Sequence, residues 1–344
     1  MSITIKDIAR ESGYAVGTVS RVLNNHPDVS DTARAKIMEV VEKYHFRLNN
    51  NAKHLKQQSS NGIAIIIKGS QNMLFAPIVE KMQGMLSEKG FACLVYYINE
   101  LENELEQAIQ ICKERRPVGV MFLGCNLQYF KERFYEITVP SVLVTNSAKD
   151  LELDNLSSVS IDDIEAAKAA VCHLLENGHR NIGILGGFTH RSKVAKARFE
   201  GCAKAFESWN IPFDSEKQYI ASMFGMKDGY NSMKQMMERM PDITAVFAMS
   251  DVMAIGAIRA IKDAGLKVPD DISVVGFDGI ELSEFLYPKL TTIKQDKETI
   301  ARRSVEILLA NIGKKQPAVH ETVPFTVIVG ESTTTTLSGG KTNG

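Results

Sequence analysis

The 344-residue sequence has no apolar run long enough to cross a bilayer, which excludes a helical membrane protein. Its opening, Met1-Ser-Ile-Thr-Ile-Lys-Asp7, lacks a basic stretch followed by an apolar one, so it does not read as a secretory signal. The five cysteines, Cys93, Cys112, Cys125, Cys172 and Cys202, are scattered, with no Cys-x-x-Cys pair. They read as reduced thiols of a cytoplasmic protein and not as disulfides or a zinc site. Three catalytic signatures are missing: Gly-x-Ser-x-Gly, His-Glu-x-x-His and the phosphate loop Gly-x-x-x-x-Gly-Lys-Ser/Thr. Gly340-Lys-Thr342 does not qualify, because no glycine stands five residues before Gly340 and no strand precedes it. The histidines are dispersed, and His179 is expected to stabilise the end of a helix. No enzyme activity, cofactor or metal is therefore expected.

Net charge is also small, −1, but unevenly spread. Residues 1–60 carry nine Lys/Arg against six Asp/Glu, a balance of +3 that leaves −4 for the remainder. Alone, this asymmetry reads as well as a solvated helical face as a nucleic-acid surface.

The same sixty residues hold a clearer pattern. Thr4 and Asp7 are spaced to cap a first helix, about Ile5 to Ser12, with Ile8 and Ala9 inward. Gly13 ends it, since a positive φ is easiest for glycine. A second helix starts near Ala15–Val16 and carries Val19, Val22 and Leu23 on one face. Asn24–Asp28 is loop chemistry. Ser30 caps a third helix with the stripe Ile37, Val40, Val41 and Tyr44. Two short helices across a tight turn, with a third packed on them, predict a helix-turn-helix. Its second helix can enter the DNA major groove. Thr18, Ser20 and Asn24 suit phosphates, and Arg21 can reach a guanine edge with two N–H donors. A helix-turn-helix used only for protein contacts is the alternative.

These residues carry a family resemblance. Thr4–Ala9, Gly13, the run Thr18-Val-Ser-Arg-Val-Leu-Asn24, Val29-Ser30, Arg34 and Tyr44 resemble the headpiece of the LacI/GalR repressors. The resemblance implies that Thr4, Val16, Gly17, Thr18, Ser20, Arg21, Asn24 and Ser30 contact DNA. Val16 and Gly17 stand where such repressors choose bases. The family commonly has Ser where Ala15 stands, which removes one phosphate contact. Residues 46–61 read by themselves as a polar tether. By resemblance, Asn49, Ala52 and Leu55 match a hinge helix whose leucine wedges into the minor groove. Leu48 replaces the proline usual at the hinge entry.

From Ile63 onward, short apolar runs alternate with helical stretches. Ile63–Ile67, Ala92–Tyr97, Val118–Leu123, Ser141–Thr145, Ile182–Leu185, Ala245–Ala248 and Ser273–Phe277 read as strands. Pro77–Glu88 and Asn103–Glu114 read as helices. The alternation predicts parallel sheets covered on both faces, in two Rossmann-like lobes with ligand at the strand carboxyl ends. Val159–Asp163, His173–Arg180, Arg198-Phe-Glu-Gly201, Ser250–Gly256, Asp271–Asp278 and Leu290–Asp296 resemble the core of the same family, related to sugar-binding periplasmic proteins.

The expected fold is thus an all-α helix-turn-helix headpiece, residues 1–47, and a hinge, 48–60. An α/β periplasmic-binding-protein-like domain follows, 61–335. Lobe 1 is expected at about 61–161 and 291–320, and lobe 2 at about 162–290 and 321–335. The low-complexity tail from Ser332 to Gly344 is expected to be disordered, with 336–344 outside the domain. It lacks leucine heptads, so no tetramerising tail helix is expected.

The resemblance places Ser70, Phe75, Asp163, Arg198, Ser250, Asp251, Phe277 and Asp278 near an effector cleft. Carboxylates and Arg bind hydroxyl pairs or a carboxylate, and an aromatic covers a sugar face. Asp251 could instead cap the helix that follows, and Phe277 could be core. Relatives often have Asn where Ser250 stands. Arg198, a long cation on an otherwise inward helix, needs a polar or anionic partner.

The expected partners are a double-stranded DNA operator, a second copy of the chain in a homodimer, and a small effector, a carbohydrate first and a nucleobase or a protein as alternatives. A solute receptor for a transporter is the rival for the core alone. Arg21 is the testable residue. Arg21→Ala should erase preference for a selected operator over random DNA, read by competition binding; full retained preference would remove Arg21 from base readout.

Overall fold

The computed structural model describes residues 5–23, 29–44, 61–69, 72–314 and 316–336. Contacts divide the chain into two units, Met1–Ser59 and Ser60–Gly344. Thr4, Asn24, Asn49, Ala52, Leu55 and Ser70, singled out above, lie outside the described residues, as do the 24–28 loop and the 48–60 hinge.

The first unit holds α1 (Ile5–Ser12), α2 (Val16–Leu23) and α3 (Asp31–Lys43). Gly13 has φ +76°, and a Cβ there would meet nothing within 4 Å. The turn therefore needs glycine for its backbone, not for space. Ser30 caps α3, its hydroxyl accepting the Ala33 N–H at 3.4 Å. Ile8, Ala9, Val19, Val22, Ile37 and Val40 form one small core, as the periodicity predicts. Outside that core, Glu11 ties α1 to α3 by accepting from the Tyr44 hydroxyl at 2.9 Å and from Lys43 at 3.2 Å.

The second unit opens with β1 (Gly62–Lys68), α4 (Phe75–Glu88), β2 (Ala92–Ile98), α5 (Glu104–Arg115), β3 (Gly119–Leu123), α6 (Gln128–Arg133), β4 (Ser141–Val144) and β5 (Leu156–Ser160). It continues with α7 (Asp163–Glu176), β6 (Ile182–Gly186), α8 (Lys193–Ser208), α9 (Ser215–Gln218), β7 (Tyr219–Ala221), α10 (Met226–Arg239) and β8 (Ala245–Ala248). Then come α11 (Asp251–Asp263), β9 (Ser273–Asp278), α12 (Leu282–Phe285), β10 (Thr291–Gln295), α13 (Lys297–Asn311), β11 (His320–Thr322) and β12 (Phe325–Ile328). The middle five residues of β1 are buried, the pattern of a strand covered on both faces.

The strands form two six-stranded sheets, ordered β11-β5-β4-β3-β1-β2 and β12-β10-β9-β8-β6-β7. All pairs are parallel except β10 with β12, an antiparallel edge. In each lobe the order reverses beside the first strand, between β1 and β3 and between β6 and β8. Ligands bind at such switch points, beyond the strand carboxyl ends.

The lobe boundaries differ from the sequence expectation. Residues 291–295 belong to the second sheet, where β10 pairs with β9, and not to lobe 1. The chain crosses after Asp296 to α13, which packs on α4, β4 and β5. It stays in lobe 1 through β11, paired with β5, before β12 returns to β10. The cause is hydrogen bonding within lobe 2: the Thr291 N–H donates to Ser332 Oγ at 2.8 Å and the Thr292 hydroxyl to Asp251 Oδ1 at 2.5 Å.

The start of the tail is also ordered, against expectation. Ser332 is fully buried and donates to Val274 O at 2.6 Å. The Thr336 N–H donates to Asn177 O at 2.9 Å. His179 works here and not as a charged helix-end group. Its Nε2 donates to Thr334 O at 3.0 Å while Nδ1 faces the Thr244 hydroxyl at 3.0 Å, and burial lowers its pKa. Arg180 caps the end of α7 instead, donating to Leu175 O at 2.9 Å.

Helix α8 lies close against α7 through Gly201, where a Cβ would stand 2.2 Å from Ile164 O and 3.0 Å from Ala167 Cβ. The obstacle at Ile164 is backbone, so it cannot rotate away. Gly201→Ala is expected to destabilise the fold by about 1–3 kcal/mol, read as a lowered urea midpoint with an unchanged slope.

Candidate functional site

On α2, burying Val19 and Val22 turns the opposite face outward. Val16 is 42% exposed, and Gly17 and Arg21 are exposed beside it. Thr18 and Ser20 are half-buried at the margins. A Cβ at Gly17 would meet nothing within 4 Å, so packing does not require the glycine. The residues expected to touch bases thus share one open face, with the expected phosphate ligands flanking it.

In the second unit, a cleft of about 570 Å³ lies between the lobes at their switch points. Phe75, Arg198, Ser250 and Asp278 line it. Arg198 is its electrostatic centre. Its side chain is 8% exposed, and Nε donates to Asp163 Oδ1 at 2.8 Å. Nη1 donates to Met249 O at 2.5 Å, and the guanidinium lies 3.7 Å from the centre of the Phe277 ring. Nη2 is 3.8 Å from Asp278 Oδ1, beyond hydrogen-bonding reach, so that end of the fork keeps its donors for the cleft. Asp278 has φ 114°, a strained conformation for a residue with a side chain, and accepts from Gln295 Nε2 at 2.8 Å. Gln295 Oε1 is buried without a partner among the described residues.

The carboxylates sense this enclosure. Burial pushes Asp278 up to about 6, although Arg198 and Gln295 pull the other way. Burial also raises Asp163, again against Arg198.

Three expected residues do not line the cleft. Asp163 reaches it only through Arg198. Phe277 is fully buried and serves as the plate beneath the guanidinium, so the core alternative describes it. Asp251 is fully buried on the sheet side, where Oδ2 accepts from the Ile280 N–H at 2.8 Å and Oδ1 from Thr292. Nor does Asp251 cap α11 with its side chain. Ser250 does, accepting the Met253 N–H at 3.2 Å.

The sequence reading also missed residues that the structure brings to the cleft: Lys68, Asn126, Tyr129, Phe188, Phe224 and Gln295. Lys68 and Phe188 follow from a signal that was available, the carboxyl ends of the first strand in each lobe. A second hollow, about 540 Å³, lies on the outer surface of lobe 2 between α10 and α11. Its charged residues, Lys234, Glu238, Asp263 and Asp271, are all exposed, whereas Arg198 and Asp278 of the cleft are buried. Among the described residues no helix is long and apolar enough to cross a membrane, and no cluster of His, Cys, Asp or Glu could hold a metal ion.

Comparison with known proteins agrees with this architecture. A model of the lacI family of bacterial regulatory proteins matches residues 4–49, and one of the periplasmic binding protein-like domain matches 171–333. The HTH-type transcriptional regulator MalR of Clostridium butyricum is 37% identical over 313 residues, 90% of this chain and 93% of that protein. The lac repressor dimer bound to operator and the anti-inducer ONPF superposes with a TM-score of 0.74 at 25% identity, over 97% of this chain and all of the other. The regulator CelR in complex with cellobiose gives 0.70 at 26% identity, over 96% of this chain and all of the other. The chain belongs to the LacI family of DNA-binding transcriptional regulators.

Asp251 gives a pH test of the site's foundation. Burial raises its carboxyl from 3.8 to about 8, with Asp278 adding to the shift. Between those values the native state keeps a proton that the unfolded chain has released. The residue's contribution to stability therefore falls as pH rises through that window. Asp251→Asn cannot ionise, and Thr292 Oγ1, 3.4 Å from Ile293 O, has an alternative acceptor. The variant's urea midpoint should climb relative to wild type from pH 5 to pH 8; a constant difference would show Asp251 already ionised at pH 5.

Proposed function

We propose that this regulator is a repressor that binds a two-fold operator as a homodimer and is controlled by a carbohydrate in the inter-lobe cleft, in the cytoplasm and without catalytic activity of its own. The observation that carries the effector reading is Arg198. It is a buried cation stacked on Phe277, held by Asp163, with free donors beside the acceptor Asp278. A pair of sugar hydroxyls both donates and accepts, and so answers both groups. The cellobiose bound to CelR and the operator-bound lac repressor dimer support the same reading.

Two copies would present two α2 helices to two half-sites, with Arg21 and Val16 reading bases. Asn49, Ala52 and Leu55 would meet the minor groove at the centre. Phe285 and Tyr287, 76% and 95% exposed, offer apolar surface for the partner copy. Ligand between lobes that are joined by three crossings would shift one lobe against the other. That shift would alter the separation of the hinges, a coupling of about 1–3 kcal/mol.

The test is a thermal-shift screen of the full chain against neutral sugars, sugar phosphates, polyols, nucleobases and nucleosides. A saccharide should raise the melting temperature by mass action, and Arg198→Met should abolish that rise. A response to nucleobases alone, or a saccharide response untouched by Arg198→Met, would overturn the assignment.

A further inference from the structure

Lys68 is the last residue of β1, at the lobe 1 switch point, and it faces the cleft with its side chain 10% exposed. Its ammonium donates to Glu104 Oε2 at 2.8 Å. Glu104 is wholly buried, and its other oxygen accepts the Asn126 N–H at 2.5 Å. The carboxylate is therefore fixed on both sides. The ammonium also lies 5.5 Å from the centre of the Tyr129 ring, which lines the same cleft. An ammonium has three donors, and among the described residues one of them is placed, on Glu104. A cation held nine-tenths buried with donors to spare, at the end of a central strand, is costly unless a ligand takes them up.

Lobe 2 presents the complementary arrangement. Arg198 keeps Nη2 for the cleft, and Gln295 Oε1 is buried with no donor among the described residues. Neither pole carries spare positive charge. Glu104 balances Lys68, while Asp163 and Asp278 stand against Arg198. The lining of the cleft also includes Arg191 and Glu100, which offset each other. A carboxylate or phosphate on the ligand would have to compete with side chains already in place. Hydroxyl groups would not, since they accept from Lys68 and donate to Gln295.

We propose that Lys68, held by Glu104 and backed by Tyr129, is the lobe 1 anchor for the effector, and that the effector is a neutral saccharide whose hydroxyls bridge Lys68 in one lobe to Arg198 and Gln295 in the other. This rests on the carbohydrate reading above and adds to it the second lobe's contact and the absence of ligand charge. Bridging two fixed cations makes the ligand a tie between lobes, so occupancy favours the arrangement in which both are in reach.

The full-length protein would be titrated calorimetrically with cellobiose, maltose and glucose, and with glucuronate as the acidic counterpart of glucose. Wild type should bind at least one of the neutral sugars, and glucuronate more weakly than glucose. Lys68→Met combined with Glu104→Gln removes both charges together, so no lone carboxylate stays buried. It should weaken saccharide binding at least about tenfold while the unliganded melting temperature stays at the wild-type value. Tyr129→Ala, which disturbs no buried charge, should weaken binding in the same direction and decides the matter if the double variant does not fold. Saccharide affinity unchanged in these variants overturns the lobe 1 anchor and leaves the carbohydrate reading standing. Tighter binding of glucuronate than of glucose overturns the neutral class. Wild type that binds none of the neutral sugars overturns the carbohydrate reading and this inference together.

Discussion

The guanidinium of Arg198 is enclosed by groups from three elements other than its own. Asp163 begins α7, Met249 follows β8, and Phe277 and Asp278 close β9, while Arg198 itself stands on α8. A charge taken so far out of water is tolerable only if each of these stays in place. The demand runs outward through the lobe. Helix α8 must lie near enough to α7 for Arg198 Nε to reach Asp163 at 2.8 Å, and Gly201 permits that approach. Phe277, fully buried, fixes the plane of the guanidinium from beneath. The rigidity of the lobe 2 wall is thus a by-product of keeping one cation solvated by protein.

Asp251 has a parallel role, a layer deeper. It joins α11, the loop at Ile280 and strand β10 through two hydrogen bonds, and its oxygen occupies the space a Cβ at Gly276 would need, at 2.2 Å. Strand β10 in turn holds the chain's crossing to lobe 1. The two lobes share polar strands that are satisfied by distant residues, and the cleft lies where those strands end.

This explains what could be read from the sequence. The headpiece was legible because Gly13, Ser30 and the apolar spacing act locally, within one turn of where their effect is felt. The strands with continuous apolar runs were legible for the same reason. Strands β5 and β10 were not, since Ser157, Ser158, Thr291 and Thr292 are buried by virtue of partners more than forty positions away, His320 at 2.8 Å in the case of Ser158. The lobe boundary at residue 291 failed with them. Within the cleft, Arg198, Ser250 and Asp278 were legible as matches to a family pattern, but Asp251 and Phe277 belong to the support beneath. Glu104 was hidden among the acidic residues of its segment, Glu100, Glu102 and Glu106, where nothing distinguishes a buried carboxylate from solvated ones.

The crossings between lobes bear on how the chain is made. Lobe 1 needs α13 to cover β4 and β5, and β11 to finish its sheet. Lobe 2 needs β10, β12 and the buried hydroxyl of Ser332. Both sets lie between residues 291 and 336, so neither lobe can complete its sheet on the ribosome before the other has almost all of its sequence. During synthesis β4, β5 and β9, which end as interior strands, remain without part of their cover or a neighbouring strand. The molecule therefore matures in one late step, and its unfinished sheets depend until then on whatever shields exposed apolar strands in the cell.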